Sequence, residues 1–138
     1  MQEYLNQAAH NENFHQTLCG LTSNDDYPDW KVTCLFYVAF HYLKALADHR
    51  NKSIGNYHTE INKNIRSGTH MPTMPISKTA YQNYMSLFHY SQTARYDGYT
   101  DITVFNAINR GNYSHALQCL NDFKKFIQSS GVPVLVIT

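Results

Sequence analysis

The chain has 138 residues, 43% of them apolar and only 15% charged, with a net charge of +1. That length fits one domain with one core, and a charged share well below the roughly 25% of soluble domains leaves Asn, Gln, Ser, Thr, His and Tyr to carry the polarity. So small a net charge excludes a broad basic footprint for nucleic acid, so any RNA or nucleotide contact has to be local.

Cys19, Cys34 and Cys119 are an odd number at unrelated spacings, which reads as free thiols in a reducing compartment. Met1 to Asn13 lacks the basic start and apolar run of a signal peptide. The most apolar stretch, Val32 to Leu46, is interrupted by His41 and Lys44 and is too short to cross a membrane, so the expectation is a cytoplasmic protein with no membrane partner.

In chain order, Gln2 to Cys19 places Leu5, Ala8, Ala9, Phe14 and Leu18 near a 3.6-residue period, predicting an amphipathic helix with a soft middle at Asn11 to Asn13. Pro28 to about His49 follows, with Pro28 suited to the first helical position and Asp29 to the positive end of the dipole. This segment is apolar almost all round, the pattern of a central bundle member or a subunit interface. Tyr57 to Ser67, behind Asn56 as N-cap, carries Ile61 and Ile65 at i, i+4. Ser77 caps a fourth helix to about Arg95, with Tyr81, Tyr84, Met85, Phe88 and Gln92 on one face, ended by a turn at Asp97 and Gly98.

The remainder reads as a short helix from Ile102 to Asn109, a break at Gly111, and a last helix from about Tyr113 to Ser129. The last helix has Ala116, Leu117, Leu120, Phe123 and Ile127 inward, and Lys124 and Lys125 at its negative end. All six glycines are expected at helix ends. The whole is an all-α antiparallel bundle of four to five helices over residues 1–131, with a β-prone tail from Val132 to Thr138 that can pack on the bundle, pair with another chain or stay mobile.

Four patterns in order carry a resemblance: AHNENFHQTL from Ala9 to Leu18, DWKVTCLFYVAFHYLKALA from Asp29 to Ala47, YHTEIN from Tyr57 to Asn62, and ARYDG from Ala94 to Gly98. Together they resemble an uncharacterised prokaryotic branch of the HEPN superfamily, over about residues 5–100. The resemblance implies a helical bundle that often dimerises. Its members include metal-independent ribonucleases, partners of nucleotidyltransferases, and noncatalytic RNA- or nucleotide-binding proteins.

Active members carry Arg, four to six residues, then His, where Arg stabilises charge on a phosphoryl centre and His moves a proton, so RNA is cut without a metal. Arg110 and His115 match that spacing, although chance alone supplies roughly 0.7 such matches in a chain of this composition, and Gly111 replaces the polar residue usual after the family Arg. His41, His58, Arg95 and Tyr96 coincide with residues that recur in the resembling branch. Brought to one end of the bundle they can recognise a phosphate or a base, with Tyr96, Tyr37 or Tyr57 stacking. The alternative is structural: His41 as a satisfied core histidine, and Arg95 covering its helix's last carbonyls or pairing with Asp29, Asp97 or Glu60. No CxxC and no close His pair with a neighbouring acid is present, so neither a metal nor a cofactor is expected.

Three readings follow. One is a module binding RNA, a nucleotide or a protein partner, as a homodimer through the second helix or the face beside it. Another is a metal-independent endoribonuclease of the toxin or defence type, which needs Arg110 and His115 in one open cleft. The last is a purely structural partner of a neighbouring enzyme, which requires His41, His58 and Arg95 buried and mutually satisfied.

Overall fold

The computed structural model describes residues 1–68, 70–96 and 101–134. Five helices follow in order: α1 (Gln2–Leu21), α2 (Pro28–His49), α3 (His58–Asn64), α4 (Lys78–Tyr96) and α5 (Ile102–Ser129). No strand occurs among the described residues, and a single parallel bridge, Arg66 to Ile76, ties the loop after α3 to the approach of α4.

α2 is the axis of the bundle and packs against α1, α4 and α5. Its all-round apolar composition is explained by that position, with Val32, Leu35, Phe36, Ala39, Leu43 and Leu46 buried along its length. Most of its apolar surface is therefore buried inside the chain. Cross-contacts set the directions. The Met1 ammonium pairs with Asp48, while Lys31 Nζ donates to the Ser23 carbonyl at 2.9 Å, so α1 and α2 run antiparallel. Glu12 meets Lys124 and His15 meets Tyr113, so α5 runs antiparallel to α1. Tyr84 stacks near Phe123 and Tyr90 bonds His115, which sets α4 antiparallel to α5.

The first two helices and α4 begin and end within a few residues of expectation. Ser77 Oγ accepts from Ala80 N at 3.2 Å, as its capping role requires. Tyr84 is buried, and Tyr81, Met85 and Phe88 pack against the core. α3 is shorter than read, starting at His58 with Tyr57 as N-cap, yet Ile61 and Ile65 are fully buried. The expected turn at Asp97 and Gly98 lies outside the described residues.

Two expectations are corrected. The break at Gly111 is absent, because α5 is one continuous 28-residue helix. A glycine costs about 1 kcal/mol in a helix interior, which the packing of Phe105, Ala116, Leu120, Phe123 and Ile127 along one uninterrupted face outweighs. Gly20 likewise lies inside α1; by contrast Gly55, Gly68 and Gly131 take the positive φ that favours glycine.

The inward face of α1 is the second correction. Phe14 is 53% exposed, and the buried positions are Ala8, Glu12 and His15. Leu5, Ala8, Glu12, His15 and Cys19 follow a three-then-four spacing that points one stripe at α2 and α5. An apolar count misplaces this face because two of its members are polar. Lys124 is misplaced for the same reason: instead of sitting at the helix end in solvent, it is buried and pairs with Glu12 at 2.7 Å. The soft middle at Asn11 to Asn13 stays helical because that pair and an Asn11 to His41 contact hold it. The start of the tail packs on the bundle, with Val132 buried and Val134 against the core; residues 135–138 lie outside the described set.

Candidate functional site

Where α2, α3 and the C-terminal turn of α4 meet, an aromatic floor is built from Phe36, Phe40 and Phe88. His58, the first residue of α3, lies on it, its ring centroid 5.5 Å from Phe36, 5.3 Å from Phe40 and 5.5 Å from Phe88. Arg95 reaches in from the end of α4. Its Nη1 donates to the Tyr37 hydroxyl at 2.6 Å, its Nε lies 3.4 Å from the Ser91 carbonyl, and its guanidinium covers the rings of Tyr37 at 5.1 Å and Tyr96 at 4.8 Å. Both geometries are those of a cation spread over π faces.

The arrangement is left incomplete. Arg95 Nη2 and His58 Nδ1 are buried, and neither has a hydrogen-bond partner among the described residues. Among the described residues no carboxylate lies within salt-bridge distance of Arg95, so neither Asp29 nor Glu60 pairs with it, and Asp97 lies outside that set. Burial, then the positive charges of Arg95 and Lys44, hold the His58 imidazole below its ordinary value. Lys44 itself donates to the Gly55 carbonyl at 2.8 Å. Three cationic or potentially cationic groups thus lie near one another with no carboxylate in salt-bridge range among the described residues.

His41 does not join them. Its Nδ1 lies 2.7 Å from the Tyr37 carbonyl one turn back and 3.4 Å from Asn11 Nδ2, so the ring is directed toward α1. Burial lowers its pKa and the Tyr37 carbonyl partly restores it. His41 is half-buried, and its Nδ1 is occupied by these contacts on the α1 side of α2. Tyr96 is exposed at 67% and offers its outer ring face to solvent.

Beside Arg95 opens a cavity of about 600 Å³ lined by Tyr27, Trp30, Asp25, Asp26, Asp29 and the start of α5. Tyr27 and Trp30 are each 56% exposed, and Tyr27 holds a left-handed backbone (φ 51). Sequence reading named neither Trp30 nor Lys44 as a site residue; Trp30, Tyr37 and Lys44 recur every seven residues, two turns apart along one face of α2, a spacing that could have found them.

Arg110 and His115 share α5. His115 is five positions after Arg110, so on a continuous helix the two point about 140° apart. His115 is exposed and engaged, with Nδ1 2.5 Å from the Tyr90 hydroxyl and Nε2 3.6 Å from Cys119 Sγ, while Arg110 is half-buried. The structure therefore does not bring the two side chains into one cleft within a single chain.

No protein-family model, curated protein or solved structure matches this chain.

Proposed function

We propose that the chain is a HEPN-like helical module that binds a phosphate-bearing ligand, a nucleotide or a short single-stranded RNA segment, at the Arg95–His58 end of the bundle. The observation that carries this reading is the pair of buried nitrogens, Arg95 Nη2 and His58 Nδ1, with no hydrogen-bond partner and no carboxylate in salt-bridge range among the described residues. Buried polar atoms are normally paired, and a phosphate carries acceptor oxygens of the kind both lack. Trp30 and Tyr27 in the adjoining cavity offer faces on which a base stacks. Asp25, Asp26 and Asp29 line the same cavity and repel extended polyphosphate, so a ligand with few phosphates fits best. The same carboxylates accept from the amino edge of a base.

The purely structural reading requires His58 and Arg95 to satisfy each other, and they do not. The ribonuclease reading draws no support from the divergent Arg110 and His115. The test uses Trp30, the single tryptophan of the chain, as reporter. Titration with nucleoside monophosphates and a 5′-phosphorylated dinucleotide should give a saturable fluorescence change, weakened about tenfold or more by Arg95→Gln and by His58→Gln, as losing a charge-assisted bond requires. No response at millimolar ligand overturns the proposal. RNA cleavage in EDTA that disappears in Arg110→Ala and His115→Ala would instead establish the enzyme.

A further inference from the structure

On the opposite flank of α2, α1 and α5 enclose a second cavity of about 350 Å³. Leu35, Leu117 and Leu120 make its apolar walls, and His15 and Cys19 face it from α1. Tyr113 of α5 closes a hydrogen-bonded triangle behind them: its hydroxyl lies 2.8 Å from His15 Nε2 and 3.6 Å from Cys19 Sγ, and Sγ lies 3.6 Å from the same Nε2. A thiol, a phenol and an imidazole in sequence form a proton relay opening onto an apolar hollow, the constellation of an activated sulfur nucleophile.

Charge supports the same reading. Lys31 is 1% exposed, and its ammonium has one acceptor, the Ser23 carbonyl at 2.9 Å, with no carboxylate in salt-bridge range among the described residues. Burial, then Lys31, hold His15 below its ordinary value, so at neutral pH Nε2 is free to accept a proton. Burial keeps Tyr113 a phenol, able to accept from the thiol and donate to the imidazole. The other two thiols are suppressed: burial pushes Cys34 up to about 11 and raises Cys119 as well.

We propose that Cys19 is a reactive thiol and the covalent addition site for small apolar electrophiles of the α,β-unsaturated carbonyl class that enter the α1–α2–α5 cavity. The Cys19 S–H proton passes to the Tyr113 oxygen as the Tyr113 proton moves to His15 Nε2. The sulfur then bonds the β-carbon, the C=C π pair shifts to form the enolate, and the proton held by His15 returns through Tyr113 to the α-carbon. All atoms of both reactants are retained, and no oxidant or reductant is consumed. The leucine walls select apolar electrophiles and exclude charged ones. The groups that set the pH response are His15, Tyr113 and Cys34, with Lys31 and the Glu12–Lys124 pair around them.

The probe is N-ethylmaleimide at one equivalent per chain, with each cysteine's rate read by peptide mass spectrometry and folding checked by circular dichroism. At neutral pH Cys19 should react about tenfold or more faster than Cys34 and Cys119. Tyr113→Phe and His15→Gln should slow Cys19 about tenfold at neutral pH and leave its rate at strongly alkaline pH, where a thiol ionises unaided, near that of the wild type. Leu117→Trp, which fills the cavity, should slow Cys19 alone. Cys19 reacting no faster than the other two thiols overturns the proposal, as do wild-type rates across pH in folded Tyr113→Phe. Should His15→Gln lose its helical signal, Tyr113→Phe, which removes one hydroxyl and keeps the ring, decides the question.

Discussion

Replacing Lys124 with Met separates the two roles that a buried ion pair can have. The Lys124 and Glu12 side chains are 8% and 5% exposed and 2.7 Å apart, so water solvates neither well. Lys124→Met keeps the length and apolar stem of the side chain but leaves the Glu12 carboxyl buried without its cation. Breaking such a pair from one side costs about 3 to 5 kcal/mol. At roughly 3.5 °C per kcal/mol for a domain of this length, Tm should fall by roughly 10 to 17 °C. The double variant Glu12→Leu with Lys124→Met removes both desolvated charges and should sit within about 1 kcal/mol of wild type, or above it. Urea unfolding followed by circular dichroism reads all three.

Acidification supplies the cross-check. Burial raises the Glu12 carboxyl above 4.5, and Lys124 only partly offsets this. The folded chain therefore holds a proton that the unfolded chain releases, and the stability contribution of this group falls as pH rises from 4.5 through the folded value. Without Lys124 the folded value climbs further and the window widens. The deficit of Lys124→Met should accordingly shrink on going from neutral pH to about pH 5. A single-variant cost below about 1 kcal/mol, unchanged by pH, would mean that the pair is solvated and would refute the burial argument.

Gly111→Ala should stabilise the chain by about 1 kcal/mol in urea unfolding, because the position is mid-helix and an added Cβ meets nothing within 4 Å; destabilisation would mean α5 is broken there. Tyr84→Phe should be neutral or stabilising by up to about 1 kcal/mol, since the buried Tyr84 hydroxyl has no hydrogen-bond partner among the described residues, and a loss larger than that would reveal one. Nucleoside monophosphate binding should tighten as pH falls: an anion offsets the Arg95 and Lys44 charges that depress His58, so binding takes up a proton between the free and bound values. Calorimetry in buffers of different ionisation enthalpy reads that uptake, which His58→Gln should abolish. For single-stranded RNA the slope of log K against log salt should be no steeper than about −2, because Arg95, Lys44 and His58 can neutralise at most three phosphates.

What the sequence disclosed follows from how each element is held. α2 was legible from end to end because Pro28 marks its start and apolar residues occupy every side, so no face had to be chosen. α1 was legible as a helix but not in its orientation, because Glu12 and His15 occupy core positions that hydropathy assigns to water. α5 was divided at Gly111 because local propensity carries no record of the packing on both sides of that residue. His58 and Arg95 were found through patterned resemblance, and their meeting over Phe36, Phe40 and Phe88 is a tertiary fact. The Cys19 cluster offered only the i, i+4 spacing of His15 and Cys19. Its third member, Tyr113, arrives from 98 residues away, a separation that no local pattern bridges.

Charges in this chain are few, and several are placed where solubility cannot be their purpose. Lys31 and Lys124 are buried, and Glu12 is buried with the latter. Arg95 is half-buried with an unpartnered nitrogen. Surface charge is inexpensive and readily exchanged, whereas each buried charge costs several kcal/mol unless something compensates it. Glu12 and Lys124 compensate each other, so that pair needs nothing further and acts as a register lock between α1 and α5. Lys31 and Arg95 have no such partner among the described residues, and they lie on opposite flanks of α2, one beside the thiol relay and the other beside the aromatic floor. The two proposed sites coincide with these two cations, and each can be tested without disturbing the other because the fully packed core of α2 stands between them.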